Sequence, residues 1–487
     1  MRKSSLSLAV LLAGCAVGPD FKRPDPPAVT GYMAGGPQVR TVSTAGAFGA
    51  PQRFVQEMDI PGQWWTLFHS QPLNDLIEQS IKANPNITAA QAALRQAREN
   101  TLAQKGSYFP QVSGGVTGSR NLTPVEALSP AGPTGNPFYS LITPSLSVSF
   151  VPDVFGANRR AVESLDAQAE NLKYQLEATY VTLTANVVTG ALQEASLRGQ
   201  IVATRDTIKA ESDLLAILRK QYDLGQVSMA DVAAQEAALA QAQATLPPLE
   251  KQLAQQRDAL SALAGRLPSE EVARFQLADV KLPTDLPVSL PSKLVEQRPD
   301  IRAAEETLHS ASAQIGVAIA ARIPQITLSA NIGNSASSVS NLFTPGTNFW
   351  TLAAGVTGPI FTGGTLFHKQ RAAEAAFDQA AAQYKATVIT AMQNVADTLH
   401  ALQSDADALA AANASEQAAG RSLAIIRKQL ELGQVAYLAL LNAEQTYALA
   451  KVAQVQAQAA RLSDTAGLFQ ALGGGWWNRP AEVVAAK

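Results

Sequence analysis

RKQYDLGQV, residues 219–227, returns as RKQLELGQV at residues 427–435. Each copy closes a long helix-favouring run with a glycine, and each is followed by another such run. Residues 215–227 and 423–435 share ten identities in thirteen positions at an offset of 208. The offset carries on outward, with Glu236 and Ala240 matching Glu444 and Ala448, and Gly265 matching Gly473. Upstream the match continues at an offset of 214. Pro85, Ile87, Ala89, Ala90 and Leu94 answer to Pro299, Ile301, Ala303, Ala304 and Leu308, and Pro110-Gln111 to Pro324-Gln325. The net difference of six residues is assigned to the loop 121–141. The chain is two copies of one unit of roughly 210 residues, the kind of repeat that must be found before any fold is assigned.

Each unit runs in the same order. A helical run (73–105 or 292–321) is followed by two strand-like segments, 109–119 with 142–151 and 323–333 with 349–360. In SLSVSF, Leu146, Val148 and Phe150 alternate with three serines. That period of two puts the apolar residues on one face. The pattern suits a soluble sheet with one wet face, and equally a membrane barrel strand that is apolar outward and small-polar inward. Proline-free stretches of 66 residues follow, 157–222 and 365–430. As helices they would be about 100 Å long. Val388, Val395, Leu402, Leu409, Leu423 and Leu430 keep a seven-residue register broken only at Glu416. Ile201, Ile208, Leu215 and Tyr222 do the same in the first copy, which is coiled-coil spacing. Beyond the glycines, 229–264 and 437–472 form shorter second legs. The first helical run of each unit has the length to complete the shorter rod end to end.

The turn itself has the parts of a helical hairpin. Gly225 and Gly433 suit the left-handed position that ends a helix. Ser228 suits the next N-cap, with Asp231 as its acidic partner three residues on. Ala436 and Ala439 stand at those places in the second copy, so capping alone does not account for the likeness. The turns Leu224-Gly225-Gln226-Val227 and Leu432-Gly433-Gln434-Val435 are therefore candidate surfaces for a partner.

Composition narrows the function. Lys and Arg (38) nearly balance Asp and Glu (40), for a formal net charge of −2. Nucleic-acid binding, which needs clustered cations, is disfavoured. His69, His309, His368 and His400 show no metal spacing. Gly473-Gly474-Gly475-Trp476-Trp477 lacks the strand–loop–helix setting of a phosphate loop and reads as the end of the last helix. No catalytic constellation or cofactor site is found.

At the N-terminus Arg2 and Lys3 precede an apolar run, 6–12, too short to span a bilayer. Leu12-Ala13-Gly14-Cys15 ends it at the chain's one cysteine. This arrangement resembles a bacterial lipobox. The resemblance implies removal of residues 1–14, a covalent lipid on Cys15 and, with Ala16 next, delivery to an outer membrane. It also tips the strand reading toward a membrane barrel.

Together these features resemble the bacterial outer-membrane efflux factors, the TolC-like family, and its lipid-anchored NodT/OprM branch. The carriers are Cys15-Ala16-Val17-Gly18-Pro19-Asp20-Phe21, Trp64-Trp65 with Phe68, Asn84-Pro85-Asn86-Ile87, Arg298-Pro299-Asp300-Ile301 and the two Leu-Gly-Gln-Val turns. The resemblance implies a mainly α protein with a membrane β part. Three chains would build a 12-stranded outer-membrane β-barrel continuous with a periplasmic α-helical barrel. It implies a Gram-negative outer-membrane exit duct for drugs or other small molecules, working with a periplasmic adaptor and an inner-membrane RND-type pump. The expected division is a signal peptide (1–14), an acylated extended segment (15–70), repeat 1 (71–278) and repeat 2 (279–487). A family pattern like Tyr-Leu-x-Leu-Leu-Asp-Ala places an acid at the tunnel constriction. Here Asn442 stands where that carboxylate would be, and Asp231 is the remaining acid near the tip. A type I protein-secretion duct and a non-conducting coiled-coil lipoprotein are the competing roles.

Overall fold

The computed structural model describes residues 17–33, 35–36, 39–122 and 138–479. The expected signal segment, Cys15 and most of the loop assigned the six-residue difference lie outside the described residues. In chain order the elements are β1 (Arg53–Gln56), α1 (Gln71–Ala83), α2 (Pro85–Lys105), β2 (Gln111–Leu122), β3 (Phe138–Phe150), α3 (Ala157–Asp223) and α4 (Met229–Leu263). Then come β4 (Asp285–Val288), α5 (Pro291–Gln297), α6 (Pro299–Ala320), β5 (Gln325–Asn334), β6 (Asn348–Thr357), α7 (Thr365–Glu431) and α8 (Tyr437–Ala471). From α1 onward the second half repeats the first. Both long helices run for 67 residues.

One expectation needs correction. The runs 73–105 and 292–321 are not single helices, because each is broken immediately before a proline. Asn84 (ψ 123) and Arg298 (ψ 121) are extended. Proline's ring disfavours helical backbone in the residue before it. The break is put to use identically in both copies. Asn84 donates its side-chain amide to the carbonyl of Leu263 at 2.9 Å, and the Arg298 guanidinium donates to Ala471 O at 2.9 Å. Each pre-proline side chain thus satisfies an orphan carbonyl at the end of a second leg. Beside it, Gly265 (φ +71) and Gly473 (φ +96) bring backbone against backbone. A Cβ there would come within 2.4 Å of Ala83 O and 2.7 Å of Gln297 O respectively. The shorter rods are spliced at these two junctions.

The chain forms two compact units, each drawing on both repeats: residues 1–23, 93–172 and 304–384, and residues 24–92, 173–303 and 385–487. The first holds an antiparallel sheet in the order β2-β3-β5-β6. Its register segregates the two faces across every strand. Val112, Val148, Ala330 and Leu352 lie in one cross-strand row, and Gly114, Leu146, Ile332 and Trp350 in the next. Ser113, Ser147, Asn331 and Thr351 line up on the other face. The apolar face is bare: Val116, Trp350, Leu352 and Val356 are all more than 70% exposed.

The second unit holds the buried core of the long helices. Val395, Leu399, Leu402, Ala406 and Leu409 are fully buried along α7, as the heptad register predicts. In α3 the register members Ile201 and Leu215 are buried, Ile208 is half-buried and the last, Tyr222 in the final turn before Gly225, is exposed, while Leu218, three residues after Leu215 on the same face, is buried. The segment expected to be merely extended is also built in. β1 pairs in parallel with β4. Trp64 is fully buried and stacks on Phe469 at 5.2 Å. Arg461, fully buried, donates to Phe48 O (2.8 Å), Ala50 O (2.9 Å), Thr41 Oγ1 (3.0 Å) and Gln52 Oε1 (3.3 Å). It fastens that segment to α8.

Candidate functional site: the paired hairpin tips

Both glycine turns close in the same way. Gly225 (φ +69) donates to Tyr222 O at 2.8 Å and Gln226 donates to Gln221 O at 2.8 Å. Gly433 (φ +68) and Gln434 repeat this with Leu430 O and Gln429 O at 2.9 and 2.8 Å. The pair of bonds is a Schellman motif, which satisfies the last carbonyls of α3 and α7. Neither glycine is crowded, since a Cβ on either would meet nothing within 4 Å. Conformation, not space, requires glycine here.

The caps differ as the sequence predicts. Ser228 Oγ accepts from Asp231 N, and Ser228 N donates to the Asp231 carboxylate, forming a capping box. Ala436 offers no side-chain cap to α8. Asp231 is therefore engaged by its own cap, whereas the Asn442 side chain is exposed on α8, where Thr446 Oγ1 donates to the Asn442 backbone carbonyl at 2.7 Å.

At the apex Leu224 and Leu432 are 72% and 61% exposed, joined by Met229 and Leu438. Gly225, Gln226, Gly433 and Gln434 are exposed with them, while Val227 and Val435 are half-buried. Behind this surface the two hairpins pack on each other. Leu215 and Leu218 of α3, Val232 of α4, Leu423 of α7, and Tyr437, Leu440 and Leu441 of α8 form one apolar cluster. Each such buried side chain contributes about 1.5–3 kcal/mol.

Sequence reasoning missed the polar seam through this cluster. Arg219 reaches Glu236 at 2.7 Å, and Arg427 reaches Glu444 at 3.0 Å, each tying the two legs of its hairpin. The signal was there, because both partners recur at the same offset. A helix end does not need these arginines, but a hairpin does. Between hairpins, the Tyr437 hydroxyl donates to Gln235 Oε1. The Gln235 amide in turn donates to Glu211 O at 2.8 Å and to the Glu211 carboxylate. Burial pushes the Glu211 carboxyl above the ordinary range, with the Gln235 bond opposing and nearby Glu444 adding to the rise. The Tyr437 phenol is raised by burial and by the same acids. A cavity of about 90 Å³ lies alongside, lined by Asp206, Glu211, Arg427, Glu444, Tyr447 and Lys451.

The arrangement is a packed double hairpin with an apolar apex, and among the described residues no group of three or more His, Cys, Asp or Glu could hold a metal ion. No helix among the described residues is long and apolar enough to cross a membrane. Known proteins supply the context. A family model described as outer membrane efflux protein matches residues 76–266 and 290–474, one stretch in each copy. The chain is 28% identical to the probable efflux pump outer membrane protein TtgC of Pseudomonas putida, covering 99% of this chain and 98% of that protein. It is 27% identical to the outer membrane protein OprJ of Pseudomonas aeruginosa, over 97% and 95% of the two. Among solved structures it resembles the outer-membrane channel OprN, with a TM-score of 0.84 and 25% identity over 95% of this chain and 100% of that one. It also resembles the open state of the Neisseria gonorrhoeae MtrE outer membrane channel, with a TM-score of 0.80 and 25% identity over 95% and 99%.

Proposed function

Because the chain belongs to the outer membrane efflux protein family, we propose that three copies assemble into one passive exit duct for drugs or other small molecules. The observation that carries this reading is the two-faced sheet. Its apolar face is bare, its other face is small and polar, and its outer strands β2 and β6 each pair on one side only. An open edge in a membrane leaves backbone groups without partners, so such a sheet is complete only when closed. Three copies of four strands make a twelve-stranded barrel with the serine face toward the lumen.

The helices support the same assembly. Near its start α3 buries Arg160, Val162, Ser164, Ala167 and Ala169, whereas residues 365–379 of α7 bury nothing. The repeat makes these stretches equivalent, so the bare one is the face for a neighbouring copy. The tips would dock on a periplasmic adaptor linked to an inner-membrane RND-type pump, which supplies the energy. Cys15 would carry the lipid that holds the chain at the outer membrane of a Gram-negative cell. In the duct, Asp231 and Asn442 would border the narrowest section, with the amide giving less attraction for cations than a carboxylate.

The docking role is tested by replacing Gly225 and Gly433 together with valine. A β-branched residue at positive φ is strained at both turns. Crosslinking to the adaptor in membranes should drop at least ten-fold while trimers persist on native gels. Undiminished crosslinking would remove the tips from the docking surface.

A further inference from the structure

Arg461 of α8 is fully buried, yet the bonds it donates end on neutral groups: Phe48 O, Ala50 O, Thr41 Oγ1 and Gln52 Oε1. Segment 41–52 carries no charged residue to balance it. A buried cation is costly without a counter-charge. That charge comes from Asp405 of α7, which acts on Arg461 from the other leg of the hairpin. Asp405 in turn meets the carboxyl of Asp464, three residues after Arg461 on α8, in a side-chain hydrogen bond. Ionised carboxylates only accept, so this bond exists only while the pair holds a proton. Asp405 Oδ2 is sealed from solvent, and no fixed donor reaches it. Burial first, then the Asp464 bond and charge, push the Asp405 carboxyl up to about 7, with Arg461 opposing.

The first copy shows that a hairpin does not need this set. At the offset of 208, Leu197, Leu253 and Gln256 stand where the second copy has Asp405, Arg461 and Asp464. Leu197 is buried, and the Gln256 amide donates to Gly190 O at 3.1 Å. Apolar and amide side chains therefore suffice at this level, and they avoid the desolvation cost of buried charge. The second copy keeps two acids and an arginine where packing asks for none.

With one proton between them, Asp405 and Asp464 carry a single negative charge, which balances Arg461. Without it, two negative charges face each other between α7 and α8. The second charge also draws the guanidinium from its neutral acceptors, because charge-assisted bonds are the stronger ones. Those acceptors are what fastens segment 41–52. We propose that Asp405 and Asp464 form a proton-operated clasp, which holds segment 41–52 on α8 while the pair shares a proton and loosens it when that proton leaves. The charged groups acting on Asp405 are Asp464 and Arg461, and segment 41–52 adds none. Asp405 holds its proton more tightly in the folded chain than in the unfolded one. Its contribution is therefore full below the ordinary aspartate range and fades as pH rises through about 7. The clasp is closed in mildly acid surroundings and open in mildly alkaline ones.

Hydrogen exchange on the purified full-length protein tests this at the amides of Thr41, Gln52 and Phe54, which donate to Gln52 O, Thr41 Oγ1 and Val39 O. After correction for intrinsic rates, wild-type protection should fall about ten-fold between about pH 6 and about pH 8. Asp464→Asn gives Asp405 a permanent amide donor and removes the second charge, so its profile should be flat at the wild-type acid level. Asp405→Asn reaches a fixed pair from the other side and should be flat as well. Asp407→Asn, at an exposed position two residues along α7, should keep the wild-type slope. A flat wild-type profile, or the wild-type slope retained in Asp464→Asn or Asp405→Asn, would overturn the clasp. Loss of the slope in Asp407→Asn would assign it to general surface charge and overturn the clasp too.

Discussion

The two hairpin tips share a backbone and differ in what supports it. The first copy stabilises its second leg locally, through the Ser228–Asp231 capping box, and its Arg219–Glu236 bridge is exposed on both sides. The second copy has no side-chain cap, and its Arg427–Glu444 bridge ends on a carboxylate only 8% exposed. It leans on burial, with Tyr437, Leu440 and Leu441 in the shared cluster. One tip is held by its own turn, and the other by its neighbour. A partner meeting both would find an autonomous hairpin beside one that depends on the seam between them.

The sharpest way to break this comparison is to remove each arginine. Arg427→Ala leaves Glu444 buried and unpaired, so it should destabilise the folded protein by about 2 kcal/mol. Arg219→Ala should cost under about 1 kcal/mol, because both partners are wet. Chemical denaturation of the solubilised protein checks both, and equal losses would erase the distinction.

Exchanging the caps comes next. Ser228→Ala should cost about 1 kcal/mol and raise hydrogen exchange in the first turn of α4. Ala436→Ser should protect the start of α8 by a similar or smaller amount. If Ala436→Ser changes nothing, burial already holds that helix end.

A smaller effect lies in the seam. Glu211 has its carboxyl raised in the folded state, so the folded protein holds this proton more tightly than the unfolded chain. Its contribution is therefore full below the ordinary glutamate range and is lost as pH rises through the raised value. Hydrogen exchange near Gln235 and Tyr437 should quicken over that window. Glu211→Gln should flatten the profile, and a wild-type profile that is already flat would contradict the assignment.

The smallest structural change carries a functional readout. Asn442→Asp, at an exposed position, should leave stability within about 0.5 kcal/mol and raise cation selectivity in single-channel recordings. No change in selectivity would mean that Asn442 does not border the narrow section.

Much of this contrast was legible in the sequence. Gly225 and Gly433 could be read because left-handed backbone leaves few alternatives, and Ser228 with Asp231 because a cap is a short-range motif. Strand pairs and long helices were legible from periodicity and from the absence of proline. The breaks at Asn84 and Arg298 were written in the prolines that follow them, but the apolar pattern runs through both and masks them. Arg461 was beyond reach, since its partners lie more than 400 residues earlier in sequence. So was the Gln235–Tyr437 contact, which joins residues 202 apart that no repeat relates. β1 and β4 are four residues each, too short for any periodicity to show. What the repeat encodes could be read, and what the two copies do to each other could not.

The most direct test of the account is conductance of the purified protein in planar bilayers, with Gln235→Ala and Arg427→Ala combined to loosen the seam. The account predicts passive, ion-carrying openings that become larger or more frequent in the loosened variant. A protein that assembles into trimers yet never conducts, even with the seam broken, would contradict it.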